Sequence, residues 1–180
     1  TCGNQSVVDA GPCKTIETAM NKFNSESFIY ILEPGEYNIS KPLVFIENNM
    51  QMYSSDGPLV TKVSCQTSCM DLNIGDNKYA PKVIRGIHFL SKEGSASSHG
   101  SGAAIYLASL PSTEKSQENF DFTIQDCMFT GFSSLKSGGA IDIVNVRGRI
   151  KIAQVIFENN TAANNGGGIS IDTSTDVQFI

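Results

Sequence analysis

Two consecutive segments near the end of the chain repeat each other. Residues 122–149 read FTIQDCMFTGFSSLKSGGAIDIVNVRGR, and residues 150–177 read IKIAQVIFENNTAANNGGGISIDTSTDV. Corresponding positions of the two segments are 28 residues apart. Apolar residues alternate with polar ones in short runs that Gly, Asn and Ser interrupt, which indicates short strands and not an amphipathic helix. A strand repeat of this length predicts a solenoid, in which each coil stacks on a neighbour to bury its apolar side.

A longer third copy begins at Lys82 and supports the same alignment. It carries extra residues in the stretches SKEGSASS and SLPSTEKSQENF, whereas its apolar positions keep their order. Stacked coils tolerate such insertions at their corners. The three copies predict five ladders of inward-facing side chains: Ile84, Ile124 and Ile152; Ile87, Cys127 and Val155; Phe89, Phe129 and Phe157; Ile105, Ile141 and Ile169; Leu107, Ile143 and Ile171.

These ladders predict an all-β fold, a right-handed parallel β-helix that forms a single domain over residues 1–180. We expect residues 1–27 to form an N-terminal cap, residues 28–81 to form irregular first coils and residues 82–180 to form regular coils. Within the first coils, the apolar run Phe28–Leu32 predicts a buried strand.

The cap is predicted to contain one short α-helix at about residues 12–23. Pro12 stands in its first turn, where the missing N–H of proline costs nothing. An apolar stripe follows at the spacing of one helix face: Ile16, Ala19, Met20 and Phe23. We expect this helix to cover the first coil, whose open edge would otherwise promote aggregation.

The last residues begin another coil. We expect Gln178 and Ile180 to align with Ile150 and Ile152, which leaves a row of strands without a neighbour. Either the chain is a fragment of, or a repeat in, a longer protein that continues with more coils, or this end docks on another subunit. The lack of an initial Met and of a signal-like segment also indicates a processed form or part of a longer chain.

Charge and composition exclude two classes of partner. The formal net charge is −5 and Lys and Arg do not cluster, so that nucleic acid is not an expected partner. No run of about 18 apolar residues occurs, and we therefore predict no membrane span.

Five cysteines leave several states open. Cys2/Cys13 and Cys65/Cys69 are the natural local pairs for disulfides, although the sequence alone does not prove this pairing against free thiols or a metal site. The spacings lack the paired C-x-x-C arrangement of zinc sites, so we predict no metal ligands. Disulfides would indicate an oxidising compartment. Cys127 is predicted to be a small buried hydrophobe, with a reactive or intermolecular thiol as the alternative.

Three N-glycosylation sequons begin at Asn4, Asn38 and Asn159. Together with disulfides, they predict a secreted glycoprotein, located outside the cell or on its surface. For Asn159 and the asparagines near it, the alternative is that they are turn residues, because Asn tolerates a left-handed backbone.

The beginning of the chain resembles one group of known proteins. Residues 11–45, GPCKTIETAMNKFNSESFIYILEPGEYNISKPLVF, are similar to the opening of right-handed parallel β-helix proteins, a group that includes pectin-degrading enzymes and phage tailspikes. In that group a helix of the type "TIQ-A" leads into a strand that ends "PG-Y". The resemblance implies the fold and no particular activity.

The coils resemble a second family. FENN at residues 157–160 with GGGI at 166–169, and FTGF at 129–132 with GGAI at 138–141, are similar to the FxxN and GGA[IVL] repeats of chlamydial polymorphic outer-membrane proteins. Related repeats recur in surface proteins of several protists. The resemblance implies a cell-surface β-helix with a largely adhesive or structural role. We expect the paired glycines to allow tight stacking and the Asn positions to hydrogen-bond between coils.

Polysaccharide-cleaving β-helices provide the enzymatic alternative. Polygalacturonases carry Asn-Thr-Asp, Asp-Asp, Gly-His-Gly and Arg-Ile-Lys, of which this chain offers only Ser98-His99-Gly100 and Arg149-Ile150-Lys151. That hydrolysis requires a pair of carboxylates as acid and base. His88 falls between two core positions and is predicted to be an outward-facing surface residue. We therefore predict no catalytic residues.

Calcium-dependent lyases would need several carboxylates on one face. The acidic residues of the coils are scattered along the sequence: Asp71, Asp76, Asp121, Asp126, Asp142 and Asp172. The only alignment between neighbouring coils is that of Asp142 with Ser170. We therefore predict no metal ion and no cofactor.

The prediction is a non-catalytic extracellular structural or adhesive glycoprotein module. Its solenoid ends could bind a second copy of the chain or neighbouring subunits. Repeated contacts of this kind could build an end-to-end filament, because a head-to-tail contact that does not close gives a filament. Glycans are further candidate partners. The alternative is a polysaccharide-binding or polysaccharide-cleaving β-helix, a pectinase-like lyase or hydrolase. Exposed aromatic residues along a groove would favour it, and the candidates are Tyr30, Tyr53, Tyr106 and Phe132.

Overall fold

A computed structural model describes residues 15–22, 28–46, 50–74, 82–92, 104–109, 121–146, 148–172 and 176–180. Within these residues the chain forms one helix and eighteen strands. Their bounds are α1 Ile16–Lys22, β1 Phe28–Leu32, β2 Gly35–Ile39, β3 Leu43–Ile46, β4 Met50–Ser54, β5 Thr61–Cys65, β6 Met70–Ile74, β7 Lys82–Arg85, β8 His88–Ser91, β9 Ile105–Ser109, β10 Asp121–Gln125, β11 Met128–Thr130, β12 Ser133–Ser134, β13 Ile141–Val144, β14 Arg149–Ala153, β15 Ile156–Glu158, β16 Thr161–Ala162, β17 Ile169–Asp172 and β18 Val177–Phe179.

Consecutive strands belong to different sheets, and the chain then returns to the first sheet. Sheet A has the order β1-β4-β7-β10-β14-β18, sheet B has β15-β11-β8-β5-β2, sheet C has β17-β13-β9-β6-β3, and β12 pairs with β16 in a small fourth sheet. The paired strands run parallel. Coil 1 comprises β1–β3, coil 2 β4–β6, coil 3 β7–β9, coil 4 β10–β13 and coil 5 β14–β17. The predicted all-β parallel solenoid with a short helix is confirmed, whereas its right-handed sense stays a prediction.

The phenylalanine ladder illustrates the register of the core. Phe129 pairs with Phe89 on one side and with Phe157 on the other. The rings are stacked, with centroids 5.0 Å and 5.5 Å apart. The predicted ladder members of coils 3 and 4 are buried, and so is Ile152 of coil 5. The other members in coil 5 are only partly buried, because among the described residues no further coil covers them: Val155, Phe157, Ile169 and Ile171.

Coils 1 and 2 continue the same three sheets. In sheet A, Met50 pairs with Phe28 and Lys82, and Met52 pairs with Tyr30 and Ile84. The described strands of residues 28–81, which the sequence predicted as irregular first coils, therefore stack in register with the later coils. The turn between β1 and β2 has two residues, as in coils 3 to 5, whereas the turn between β4 and β5 has six.

Two predictions about strands are wrong. β1 is not buried on both faces, because Ile29 and Ile31 are exposed while Leu32 is buried. In β18, which begins a sixth coil, Val177 and Phe179 pair with Ile150 and Ile152, where Gln178 and Ile180 were expected. The spacing from coil 5 to coil 6 is one residue shorter than the repeat, and a slip of one residue exchanges the two faces of a strand.

The helix α1 lies at the N-terminal end of the core. Ile16 is buried in the core cluster, and Glu17 Oε1 accepts a hydrogen bond from the backbone N–H of Ser40 at 3.2 Å, just after β2. The helix was predicted at about 12–23, and residues 12–14 and 23 lie outside the described residues. Packing of Ile16 into the core is what a cap over the first coil requires.

Candidate functional site

The cysteines of coil 2 form a disulfide. The Cys65–Cys69 bond has an S–S length of 2.08 Å, and both residues are buried. Cys2 and Cys13 lie outside the described residues. Cys127 is a free, buried cysteine, and burial raises the pKa of its thiol to about 12. It therefore stays protonated at neutral pH, and a protonated thiol is a poor nucleophile.

The structure describes the asparagines of two of the three sequons. Asn38 is exposed on β2, and Asn159 is exposed at the corner after β15. Asn159 has a φ of 53°, in the left-handed region that Asn tolerates. Asn4 lies outside the described residues.

The FxxN and glycine positions serve the stacking of coils. Asn160 Oδ1 accepts a hydrogen bond from the N–H of Phe132 at 3.0 Å, and its Nδ2 donates to the carbonyl of Phe129 at 2.8 Å. A Cβ added to Gly139 would overlap the carbonyl oxygen of Gly167 in the next coil. The expectation that Asn bonds between coils and that glycine permits close approach agrees with this geometry.

Of the two fragments that suggested a polygalacturonase, the structure describes only Arg149-Ile150-Lys151. Arg149 Nε donates to Asp121 Oδ1 at 2.9 Å on the outside of sheet A, whereas Ile150 is buried in the core. His99 lies outside the described residues.

Two of the aromatic residues expected at the surface face inward. Phe132 is buried, and Tyr30 packs against the core in the ladder of Met52 and Ile84. Phe132 occupies the fourth position of the FxxN motif, the position that Asn160 occupies in the next coil. Tyr53 is half-buried on the outside of sheet A.

The outer face of sheet C carries a row of polar groups from successive coils. Asp71 pairs with Tyr106, Tyr106 with Asp142, and Asp142 with Ser170. The alignment of Asp142 with Ser170 was predicted, but the position of Asp71 and Tyr106 in the same row was not. Burial and, to a lesser extent, the carboxylates of Asp142 and Asp71 raise the pKa of Tyr106. Asp71 and Asp142 are only 6% and 3% exposed, so that solvent reaches them poorly.

The outer face of sheet B carries a different set of polar groups. His88 lies between Lys62 and Met128 in the pairing of strands, and its Nε2 is 2.9 Å from Thr130 Oγ1. Burial, together with the charge of Lys62, lowers the pKa of His88, and Glu158 opposes this shift. His88 is therefore neutral at pH 7 and is held as a hydrogen-bonded surface residue.

A groove of about 790 Å³ follows the corner where sheets A and B meet. We call it the corner groove. Its wall is the turn between β4 and β5, and its floor is the corner of coils 3 to 5, formed by Gly86, Asp126 and Gln154. In coils 3 to 5 this corner contains two residues, whereas the turn of coil 2 contains six, residues 55–60. The longer turn projects from the solenoid and so creates the groove.

The sequence contained a signal for this turn but not for the groove. Asp56-Gly57-Pro58 predicts a turn. Its packing over coil 3 depends on Gly86, where an added Cβ would come within 3.1 Å of Ser54 O and 3.5 Å of Gly57 Cα. Gly86 falls between the residues of two ladders, so that only the structure reveals its contact with coil 2.

The described part of the chain contains no group of three His, Cys, Asp or Glu side chains that could hold a metal ion. Within the same residues no helix has the length and apolar character to cross a membrane.

Comparison with known proteins relates one coil to a repeat family. No curated protein and no solved structure matches the chain significantly. Residues 154–172 match the Chlamydia polymorphic membrane protein repeat, and this segment contains β15, β16 and β17 of coil 5. The predicted resemblance is confirmed, and the chain is a parallel β-solenoid that resembles the proteins of the Chlamydia polymorphic membrane protein repeat family.

Proposed function

We propose that this chain is a non-catalytic extracellular module with a structural or adhesive role. The observation that carries the proposal is the use of the matched repeat in coil 5. Asn160 bonds to the backbone of coil 4, and Gly138 and Gly139 donate their N–H groups to Asn165 and Gly166 at 2.9 Å. The characteristic residues of the repeat thus connect one coil to the next, and this stacking does not require the outer faces of the sheets.

Two further observations support an extracellular location. The Cys65–Cys69 disulfide is typical of an oxidising compartment, and the sequons at Asn38 and Asn159 are exposed to glycosylation. The family that matches coil 5 is named for membrane proteins, and we extend a surface location to this chain.

Self-association through the solenoid ends is part of the proposal. Phe157, Ile169 and Ile171 of coil 5 are less buried than the ladder residues of coil 4 with which they pair. A further coil or a second copy could cover them, and repeated head-to-tail contacts would give a filament.

The test uses the protein in its natural source. Intact cells are labelled with a membrane-impermeant amine reagent, and the isolated protein is imaged by electron microscopy without refolding. Labelling on intact cells is expected, and regular fibres would support the structural role. Labelling only after lysis would contradict the extracellular location, and discrete monomers would contradict filament formation.

A second candidate function is polysaccharide hydrolysis at the row on sheet C. Asp71 and Asp142 are separated by two strand spacings, about 9.6 Å between Cα atoms, and the carboxyls of inverting glycosidases lie about 6.5–9.5 Å apart. Their burial opposes this function. Hydrolysis of acidic or neutral polysaccharides that Asp142→Asn abolishes, while the variant stays folded, would establish it, and equal inactivity of both proteins would eliminate it.

A further inference from the structure

Hydrogen bonds within the turn between β4 and β5 hold the wall of the corner groove in place. Ser54 Oγ accepts hydrogen bonds from the backbone N–H groups of Asp56 at 3.2 Å and Gly57 at 3.1 Å, and it lies 2.6 Å from Thr61 Oγ1. The turn also rests on Gly86, which has no side chain to displace it. Because these contacts fix the turn, a ligand would enter a preformed groove and would not have to order it.

The backbone donors of the groove floor are already used. The N–H of Gly86 donates to Gln125 O at 3.1 Å, that of Asp126 to Ala153 O at 3.1 Å, and that of Gln154 to Ile180 O at 3.0 Å. An extended peptide that adds to a sheet requires free backbone groups. A ligand of this floor would instead meet side chains, so that peptide binding by strand addition is disfavoured.

The charges of the corner groove disfavour an acidic ligand. Among the described residues that line the groove, Arg85 is the one cation, and it donates from Nε to Asp126 Oδ2 at 3.1 Å. Asp56 adds a second carboxylate, so that these residues contribute one positive and two negative formal charges. A polyanion would meet net repulsion there, because like charges brought together weaken binding.

Apolar side chains flank these polar groups. Leu59 at the edge of the turn is 78% exposed, and Ile156 on coil 5 is 50% exposed. The planar polar groups of Arg85, Asp126 and Gln154 line the same groove, one on each of coils 3, 4 and 5. Sugars present apolar C–H faces and a rim of hydroxyl groups, and such a ligand can use both kinds of surface. The polar groups come from coils about 4.8 Å apart, which is close to the length of one sugar unit in an extended glycan.

We propose that the corner groove binds a neutral, extended oligosaccharide of a few sugar units. Its volume of about 790 Å³ lies within the range of about 300–1,000 Å³ for ligand sites. This inference names a ligand class for the adhesive role and rests on that role. Surface labelling of cells tests only the extracellular location. A failure of that proposal can therefore be distinguished from a failure of oligosaccharide binding.

The experiment is a titration of the isotope-labelled chain, followed by methyl and amide NMR. The probes are cellohexaose, laminarihexaose and chitohexaose as neutral ligands, hexagalacturonate as an acidic ligand, and an unrelated extended hexapeptide. At least one neutral hexasaccharide is expected to shift the signals of Leu59 and Ile156. Leu59→Ser and Gln154→Ala are each expected to weaken its binding about tenfold, which corresponds to about 1.4 kcal/mol.

Leu135→Ser provides the matched control. Leu135 is 72% exposed, close to the exposure of Leu59, and it does not line the corner groove. Binding to this variant should equal that of the unmodified chain, and circular dichroism should show that all three variants are folded. The proposal is overturned if no neutral hexasaccharide binds, if hexagalacturonate or the peptide binds more tightly, or if Leu59→Ser and Gln154→Ala leave the affinity unchanged.

Discussion

Lys82 lies opposite Phe122 in the parallel pairing of β7 with β10. On its other side it pairs with Met50, so that an amine occupies a position in an inward-facing apolar ladder. Lys82 is only 2% exposed, and burial lowers the pKa of its amine to about 8. The charged amine of Lys82 is thus buried in the folded chain, although water would solvate it better.

Replacement of Lys82 by methionine is expected to stabilise the protein at pH 7. Because the pKa of Lys82 falls from 10.5 to about 8 on folding, the charged form costs about 3 kcal/mol of folding free energy. This cost is fully present below pH 8 and disappears as pH rises towards 10.5, where the unfolded chain also loses the proton. The advantage of Lys82→Met, measured by urea unfolding, should therefore shrink between pH 8 and pH 9.5.

The comparison with the unmodified chain removes the contribution of other groups. The pKa values of Tyr30 and Tyr106 are raised by burial, so both residues reduce stability above pH 10 in both proteins. Lys151→Met, on the outer face of sheet A, serves as a control for the replacement of a lysine by methionine outside the core. Parallel stability curves for Lys82→Met and the unmodified chain would contradict the account of Lys82.

Asn160 should contribute more to stability than an exposed asparagine of the same coil. Asn160→Ala removes the bonds to Phe129 and Phe132 and leaves a backbone donor and an acceptor without them, at an expected cost of about 1–3 kcal/mol. The substitution keeps the sequon, because Thr161 follows. Asn164→Ala, at an exposed position, is expected to change the free energy of unfolding by no more than about 0.5 kcal/mol. Equal effects in thermal or urea unfolding would show that Asn160 does not join the coils.

The ladders could be predicted because two coils have equal spacing and the third copy keeps the order of their apolar positions. Phe157 follows Phe129 by 28 residues, and the alternation of apolar residues then fixes which side chains face inward. Tyr106 lies between two predicted ladder residues, so its alignment with Asp142 is implied by those ladders. The position of Asp71 in the same row could not be predicted, because the sequence before Lys82 contains no recognisable copy of the repeat.

Other features of the structure could not be predicted because the local sequence pattern and the tertiary environment disagree. The run from Phe28 to Leu32 is apolar throughout, and alternation within it cannot distinguish the exposed Ile29 from buried neighbours. Lys82 is the opposite case, since a charged residue at a ladder position violates the expected pattern. The corner groove depends on a contact between the turn of coil 2 and Gly86, which no local signal encodes.

The central ring of the phenylalanine ladder should be the most costly to remove. Phe129 stacks between Phe89 and Phe157 and is fully buried, so that Phe129→Ala is expected to cost about 3–5 kcal/mol. Phe157→Ala should cost less, because that ring is half-buried. Urea unfolding of both variants tests the order, and an equal or larger loss for Phe157→Ala would show that stacking does not determine the cost.

Reduction of the Cys65–Cys69 disulfide should destabilise coil 2 without disturbing Cys127. The bond closes a loop of five residues, for which restriction of the unfolded chain predicts about 2 kcal/mol. A reducing agent should therefore lower the midpoint of urea unfolding, and the double variant Cys65→Ala/Cys69→Ala should have a lowered midpoint without it. Any response of the double variant to reduction would come from another pair, such as Cys2/Cys13. An unmodified chain with the same midpoint in both conditions would show that this disulfide contributes nothing to stability.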